Sequence, residues 1–318
     1  MNPVQNLKNA YHATGQLLRN VRHAGDWQGR FASVNFWKFL STTFPTLFMR
    51  RYHRALMALL RETLVLPRPD ALPVPAPAER MRVWVMWWQG RESMPPLVGA
   101  TFDSICRHAR GLEVVLVTQD NWLRYVTPPH CVLEKISERK ITFTTLSDYV
   151  RVSLLARYGG VWIDSTMLLA GDIPAQCLTD DFWTIKHVEN VSDNVSRSRW
   201  NGQFLSSTKT HNRLFETMRI LWEQYWQKVD SNIEYFMTDY LVALVYEGDP
   251  GVRAMVDGVA PSNERLYLLG EKINDPYDAG EWEAMRDGTT MFKLSYKLRL
   301  EDSPGTFYAA LLAGRLDA

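Results

Sequence analysis

The 318-residue sequence has few cysteines and almost no net charge, and both features exclude classes of protein. Its three cysteines, Cys106, Cys131 and Cys177, are far apart, and no CxxC pair or Cys/His cluster at zinc-binding spacing is present. We therefore expect buried thiols in a reducing compartment. The formal net charge of +1 gives no electrostatic argument for a nucleic-acid partner.

Long hydrophobic runs are also missing. No apolar segment approaches the ~18–20 residues of a membrane span, and the N-terminus has no signal-peptide core, so we expect a cytoplasmic protein. The sequence contains no P-loop, Gly-x-Gly-x-x-Gly or Gly-x-Ser-x-Gly motif, and its seven histidines show no nucleophilic or metal-binding arrangement. With 46% hydrophobic residues, the chain has the composition of an ordinary globular protein with a substantial core.

Proline is concentrated in one stretch, which divides the chain. Residues 1–66 have aromatic and apolar side chains at helical spacing, interrupted at Pro45, and predict a helical N-terminal region. Residues 67–78 contain five prolines and predict an extended linker. Residues 79–318 then predict one α/β domain.

Two successive strand–helix units support the α/β class. The apolar run 83–88, a helix from Pro95 to His108 and a strand over 113–118 form a βαβ unit of the usual length. A helix over 145–158 and a short strand over 161–164 follow. This order predicts a Rossmann-like, mostly parallel sheet flanked by helices.

The most informative segment places three charged side chains around a Gly-Gly pair. Asp148 and Arg151 lie three residues apart on one helix face, Gly159-Gly160 ends the helix, and Asp164 ends the next strand. An α/β sheet binds ligands at the carboxyl ends of its strands, so these side chains should meet there. That arrangement suits a metal-bound nucleotide diphosphate and its sugar. The alternatives are a solvated Asp–Arg pair and a turn-capping aspartate.

In this order the residues resemble the DXD-type sugar transferases of the capsular polysaccharide synthesis family, which is related to the family 32 glycosyltransferases. The shared pattern, Ser-Asp-x-x-Arg and then Gly-Gly-x-Trp/Tyr-x-Asp, runs from Ser147 to Asp164, and looser similarity extends from Trp84 to about Lys297. The resemblance implies a GT-A-like fold, a nucleotide-sugar donor and retention of anomeric configuration. Thr166 departs from the general pattern, which has a second carboxylate there, although the capsular subgroup also ends this strand with Asp-Ala/Ser-Thr.

The chemistry of glycosyl transfer suggests roles for these residues. A divalent cation, Mn²⁺ or Mg²⁺, stabilises a departing diphosphate, so Asp164 is the candidate metal ligand, with Ser295 as a possible second one. Asp148 and Arg151 are expected to bind donor-sugar hydroxyls and phosphate oxygens. The resemblance implies the same roles.

Further candidates lie outside the central block. Lys293 and Lys297 resemble a family Lys-Leu-Ser/Thr-x-Lys element near the diphosphate, although two lysines four apart are also typical of a solvated face. Asp239, on a predicted helix, either faces the anomeric carbon or is a surface or capping carboxylate. Trp162 shares a strand face with Asp164 and is a candidate for stacking on uracil or sugar. The polar segment 188–202 predicts a loop over the active site.

The sequence therefore predicts a metal-dependent hexosyltransferase, which moves a sugar from a UDP-linked donor to a saccharide or lipid-linked saccharide acceptor in capsular or surface polysaccharide synthesis. Two alternatives stay open: an effector that glycosylates a protein, and a catalytically silent binding or scaffold subunit, which Thr166 would favour. The arginine-rich segment 48–61 fits either an interfacial helix at the inner face of an anionic membrane or a helix packed on the domain with its arginines in water.

Overall fold

The computed structural model describes residues 28–188, 194–301 and 303–316. Its strands are β1 (Ala76–Pro77), β2 (Arg82–Met86), β3 (Glu113–Val117), β4 (Gly160–Ile163), β5 (Met167–Leu169), β6 (Trp183–Thr184), β7 (Phe204–Ser207), β8 (Lys209–Thr210) and β9 (Met291–Lys293). Its α-helices are α1 (Gln28–Thr43), α2 (Pro45–Thr63), α3 (Pro96–His108), α4 (Trp122–Tyr125), α5 (His130–Ser137), α6 (Phe143–Tyr158), α7 (Arg213–Lys228), α8 (Met237–Gly248), α9 (Pro250–Asp257), α10 (Leu268–Glu271), α11 (Ala279–Arg286) and α12 (Phe307–Leu312).

The central sheet has five strands in the order β3-β2-β4-β7-β6. Strand β2 pairs in parallel with β3 and β4, and β7 pairs antiparallel with β4 and β6. The α/β class with a central, mostly parallel sheet and flanking helices is confirmed: four of the five strands run in one direction, and β7 runs against them, so the sheet is mixed. A parallel pairing needs a long crossover, usually a helix, and the described residues between β4 and β7 form no α-helix.

The Gly-Gly pair lets β4 run tightly between its two neighbours. Gly159 and Gly160 have φ values of +66° and +98°, which side chains rarely adopt. A Cβ on Gly160 would lie 2.5 Å from the Arg82 carbonyl oxygen, and one on Gly159 would lie 2.8 Å from the Ser207 carbonyl oxygen. The pair therefore ends α6 and starts the strand that delivers Asp164 to the carboxyl edge of the sheet.

One hydrophobic core joins the sheet to the N-terminal helices. Leu56 and Leu60 of α2 are buried in the same cluster as the sheet residue Trp84. Lys38 of α1 forms an ion pair at 3.0 Å with Glu234, at the start of the segment that leads into α8. Helix α2 therefore packs on the domain.

The remaining expectations about local structure are met only in part. Helix α1 ends at Thr43 and α2 begins at Pro45, so the break predicted at Pro45 is confirmed. All three cysteines are free, but Cys106 is exposed and Cys131 is half-buried, so burial was correct only for Cys177. Within the described ranges, no helix combines the length and the apolar character that crossing a membrane requires.

Candidate functional site

Three nitrogen donors converge on Asp164, the residue that follows β4. Its Oδ1 accepts hydrogen bonds from Arg151 Nη2 and Trp162 Nε1, both at 3.0 Å, and its Oδ2 accepts one from Lys293 Nζ at 3.2 Å. Burial raises the pKa of Asp164, but the positive charges of Lys293 and Arg151 outweigh it and hold this pKa below its ordinary value. The carboxylate is therefore ionised at neutral pH.

Asp148 and Arg151 form a buried pair on α6, where the solvated-pair alternative does not apply. Their side chains are 12% and 8% exposed, and Arg151 Nη2 lies 3.3 Å from Asp148 Oδ1. The same guanidinium lies 5.0 Å from the centre of the Trp162 ring. Gly202 leaves it room, because a Cβ there would lie 3.0 Å from Arg151 Nη1. Arg151 thus links the two aspartates.

The two aspartates differ in how readily they ionise. Burial is the largest cause that raises the pKa of Asp148 to about 6; Arg151 lowers it, whereas the negative charges of Asp164 and Asp239 raise it further. Asp148 therefore changes from neutral to charged just below neutral pH, whereas Asp164 does not.

Trp162 supports the site from beneath. The residue is 1% exposed, with its indole N–H on Asp164 and its ring under the Arg151 guanidinium. This burial does not fit the predicted stacking on uracil or sugar. Trp162 and Asp164 do point to the same side of the strand, as predicted. In this position the indole N–H of Trp162 orients the Asp164 carboxylate.

A small second sheet brings Lys293 to the site. Strands β5 and β9 pair antiparallel, with Lys293 opposite Met167. Lys293 Nζ also donates a hydrogen bond to Thr166 Oγ1, and the Thr101 hydroxyl fixes the intervening turn by donating to the Ser165 carbonyl oxygen at 2.6 Å. A pairing over such a sequence distance is not visible from local pattern.

Two cavities adjoin at this cluster, and both are lined by Arg151, Asp164 and Tyr235. The first, which we call the cationic cavity, has a volume of about 700 Å³, and its charged lining residues are Arg151, Lys293, Lys297 and Asp164. The second, the acidic cavity, has a volume of about 400 Å³, and its charged lining residues are Asp148, Asp164, Asp239, Glu264 and Arg151. The two cavities thus have opposite net charge.

The cationic cavity contains the predicted residues of the C-terminal element. Lys297 is exposed, and Ser295 is half-buried with its Oγ accepting the backbone N–H of Lys297 at 3.3 Å. Its aromatic residues include Trp162, which the sequence indicated, and five others. The six are Trp87, Trp88, Trp162, Phe143, Tyr235 and Tyr296.

Phe143, Tyr235 and Tyr296 were missed as ligand-binding candidates. Trp88 is half-buried and stacks on Phe143 with 5.5 Å between ring centres. Phe143 is 54% exposed, although it opens a helix whose other turns are almost wholly buried. An exposed aromatic residue at that position, next to a predicted site helix, was the available signal.

Asp239 lies in the acidic cavity, so it is not a surface carboxylate. Its oxygens accept hydrogen bonds from Asn194 Nδ2 at 3.1 Å and Trp200 Nε1 at 3.0 Å, and burial is the main cause that raises its pKa. Both partners belong to the segment predicted to cover the site. Residues 189–193 of that segment lie outside the described ranges, whereas several of residues 194–202 line the acidic cavity.

The arrangement does not fit the predicted divalent metal. Among the described residues, no three His, Cys, Asp or Glu side chains are grouped as metal ligands. Of the described residues that line the cationic cavity, Asp164 alone is a carboxylate, and its oxygens already accept three hydrogen bonds. The ammonium group of Lys293 occupies the space between Asp164 Oδ2 and Thr166 Oγ1, while Ser295 contributes only a hydroxyl.

Comparisons with known proteins give a family and several similar glycosyltransferases. Over 115 residues the chain is 30% identical to the O-glycosyltransferase PaGT of Phomopsis amygdali, and this match spans 32% of the chain but only 26% of that relative. Two solved glycosyltransferase structures align at a TM-score of 0.39: WbbM, a bifunctional enzyme in its apo form (10% identity, 74% of this chain and 49% of that one), and PaToxG (12% identity, 84% and 94%). The family model described as capsular polysaccharide synthesis protein matches residues 70–311, and the chain therefore belongs to this family.

Proposed function

We propose that the protein is a glycosyltransferase that moves a sugar from a nucleoside diphosphate donor to a saccharide acceptor in capsular polysaccharide synthesis. The nucleoside diphosphate in this proposal is UDP. The observation that carries the proposal is the meeting of two cavities of opposite charge at the ion-paired Arg151 and Asp164. A polyanionic leaving group and a hydroxyl-rich sugar need these two different environments. Family membership supports the polysaccharide setting.

The cationic cavity suits the nucleoside diphosphate. Arg151, Lys293 and Lys297 provide three positive charges against the single carboxylate of Asp164, which favours the phosphates. A guanidinium can bind two phosphate oxygens at once. The exposed ring of Phe143, stacked on Trp88, offers an aromatic surface to a nucleobase.

The acidic cavity suits the sugars. Ionised carboxylates accept hydrogen bonds from hydroxyl groups, and Asp148, Asp239 and Glu264 all line this cavity. Asp148 stands beside Arg151, where the donor sugar would join its diphosphate. We assign Asp239, which lies on α8 and lines this cavity, to the reacting face of that sugar, one of the two alternatives that the sequence left open.

The reaction transfers the anomeric carbon from a phosphate oxygen to an acceptor hydroxyl. The bond to the phosphate oxygen breaks with its electron pair on that oxygen, where Arg151 stabilises the developing charge. A new bond forms to the acceptor oxygen, whose proton passes to the departing diphosphate. The family resemblance implies retention of anomeric configuration, and NMR of the first-formed product would test this directly.

A lipid-linked acceptor and peripheral membrane association belong to the same proposal. Phe36, Phe39, Phe44 and Leu47 are exposed around the α1–α2 turn, and Arg50 is exposed one helical turn later. Apolar side chains beside a cation fit an anionic membrane surface at the cytoplasmic face. Co-sedimentation with vesicles that contain anionic lipid should exceed that with neutral vesicles. Equal recovery would remove this part of the proposal.

The decisive experiment combines binding and turnover. A panel of nucleoside diphosphate sugars is screened for a rise in melting temperature, since a ligand that binds only the native state stabilises it. The best donor, isotopically labelled, is then supplied with saccharide or polypeptide acceptors. Label in saccharide supports the proposal, and label in polypeptide supports the protein-glycosylating alternative. If no donor raises the melting temperature and none is hydrolysed, the result supports the catalytically silent scaffold.

A further inference from the structure

Lys293 occupies the position between Asp164 and Thr166 where a cation would bridge them. Its Nζ lies 3.2 Å from Asp164 Oδ2 and donates a hydrogen bond to Thr166 Oγ1. The side chain is 19% exposed, so it is held within the site while one side remains accessible to a ligand. The ammonium group thus contacts the two side chains that flank the central residue of the Asp-x-Thr turn.

The backbone on both sides of this contact is fixed. Lys293 N–H donates to the Leu266 carbonyl oxygen at 2.7 Å, and Leu294 N–H donates to the Thr166 carbonyl oxygen at 3.0 Å. Lys293 also lies opposite Met167 in the β5–β9 ladder. The chain therefore presents the ammonium to Asp164 through regular structure rather than through a mobile loop.

Charge around the cationic cavity opposes a second cation. In the described lining, Arg151, Lys293 and Lys297 accompany a single carboxylate, that of Asp164, so these charged residues have a net charge of about +2. A divalent ion at Asp164 would compete with Lys293 for the same oxygen and would repel it. A diphosphate, in contrast, would be attracted by all three cations.

We propose that Lys293 takes the place of a divalent metal, so that donor binding and transfer need none. This inference rests on the proposed function. Lys293 and Arg151 together would neutralise the diphosphate as the bond from the anomeric carbon to the phosphate oxygen breaks, with the electron pair left on that oxygen. Asp164 then orients the two cations instead of ligating a metal.

The first test measures UDP binding by calorimetry in EDTA and in Mn²⁺, together with binding of Mn²⁺ alone by electron paramagnetic resonance. We expect equal UDP affinity in both buffers and no Mn²⁺ site. UDP binding that requires Mn²⁺, or a Mn²⁺ signal that Asp164→Asn removes, would overturn the inference while leaving the proposed function intact. Failure of every nucleotide to bind in either buffer would overturn both.

The second test uses variants, each checked for a cooperative melting transition. Lys293→Met should weaken UDP binding in EDTA by at least about 10-fold, the usual loss for one charged hydrogen bond, and Lys293→Arg should restore much of it. Lys297→Met, at an exposed lysine of the same cavity, is the matched control and should have a smaller effect. If Lys293→Met binds UDP like the wild type, Lys293 serves only to neutralise Asp164 and the inference is wrong.

A gain-of-function variant tests the same idea from the other side. Thr166→Asp combined with Lys293→Ser restores a second carboxylate and removes the competing ammonium group. This double variant should acquire Mn²⁺ binding that the wild type lacks, and its UDP affinity should become sensitive to EDTA. A folded double variant that does not bind Mn²⁺ would count against the idea that the position between Asp164 and residue 166 is a cation site.

Discussion

Replacing Asp148 with asparagine should make the protein more stable and much less active. The pKa of Asp148 is raised from 3.8 to about 6, chiefly by burial, so ionising it in the folded state is unfavourable. One pKa unit corresponds to ~1.4 kcal/mol, so the charged carboxylate lowers the free energy of unfolding by about 3 kcal/mol above pH ~6. Asparagine keeps the shape without the charge.

The sign of the pH dependence follows from proton binding. Between pH ~4 and ~6 the folded state retains a proton on Asp148 that the unfolded state releases, so the wild type loses stability as pH rises through this window. Asp148→Asn avoids that loss. The two proteins should therefore have similar unfolding free energies near pH 4 and differ by about 3 kcal/mol near pH 7.5.

Urea unfolding of both proteins at closely spaced pH values measures this difference. Asp70→Asn is the control, because the side chain of Asp70 is 73% exposed and pairs with the exposed Arg68, so its effect should stay within a few tenths of a kcal/mol. Donor turnover of Asp148→Asn should fall by about 100-fold or more if the carboxylate binds sugar hydroxyls more tightly in the transition state than in the ground state. A variant less stable than the wild type at pH 7.5 would refute the reasoning from burial.

Three further outcomes follow from contacts within the site. Trp162→Phe removes a hydrogen bond to the Asp164 carboxylate and should lower kcat/KM by about 10-fold or more with UDP affinity little changed; steady-state kinetics beside calorimetry would expose a loss of binding instead. Gly202→Ala places a Cβ 3.0 Å from Arg151 Nη1, so it should reduce turnover with a melting temperature close to that of the wild type, and unchanged turnover would show that the guanidinium can shift. Arg151→Lys keeps the charge but loses the planar fork, so donor turnover should drop by about 10-fold or more; near-wild-type turnover in this assay would remove Arg151 from the diphosphate.

Local pattern was sufficient for the part of the site that is contiguous in sequence. Asp148 and Arg151 lie on one helix, and Asp164 follows the short strand that a Gly-Gly turn joins to this helix; each of these elements has its own sequence signal. The strand β2 and helix α3 were predictable for the same reason, since an apolar run and a Pro-Pro start are local features.

The rest depended on pairings that no local pattern encodes. Lys293 was proposed through family resemblance, but its contact with Thr166 results from the β5–β9 pairing between distant segments. The sequence indicated that Trp162 shares a strand face with Asp164, which led to its assignment as a stacking residue. It could not indicate that the side chain is only 1% exposed. The direction of strand β7 was also unpredictable. The described residues between β4 and β7 form no α-helix, and β7 pairs antiparallel with β4.

The β5–β9 pairing has a consequence for the order in which the protein becomes competent during synthesis. Asp164 leaves the ribosome well before Lys293, so a nascent chain has the carboxylate but neither its second cation nor the partner strand of β5. Contacts of such large sequence separation form late, because a long loop must close first. A chain that stops before residue 291 would therefore retain the central sheet strands in its sequence but could not complete the site at their edge.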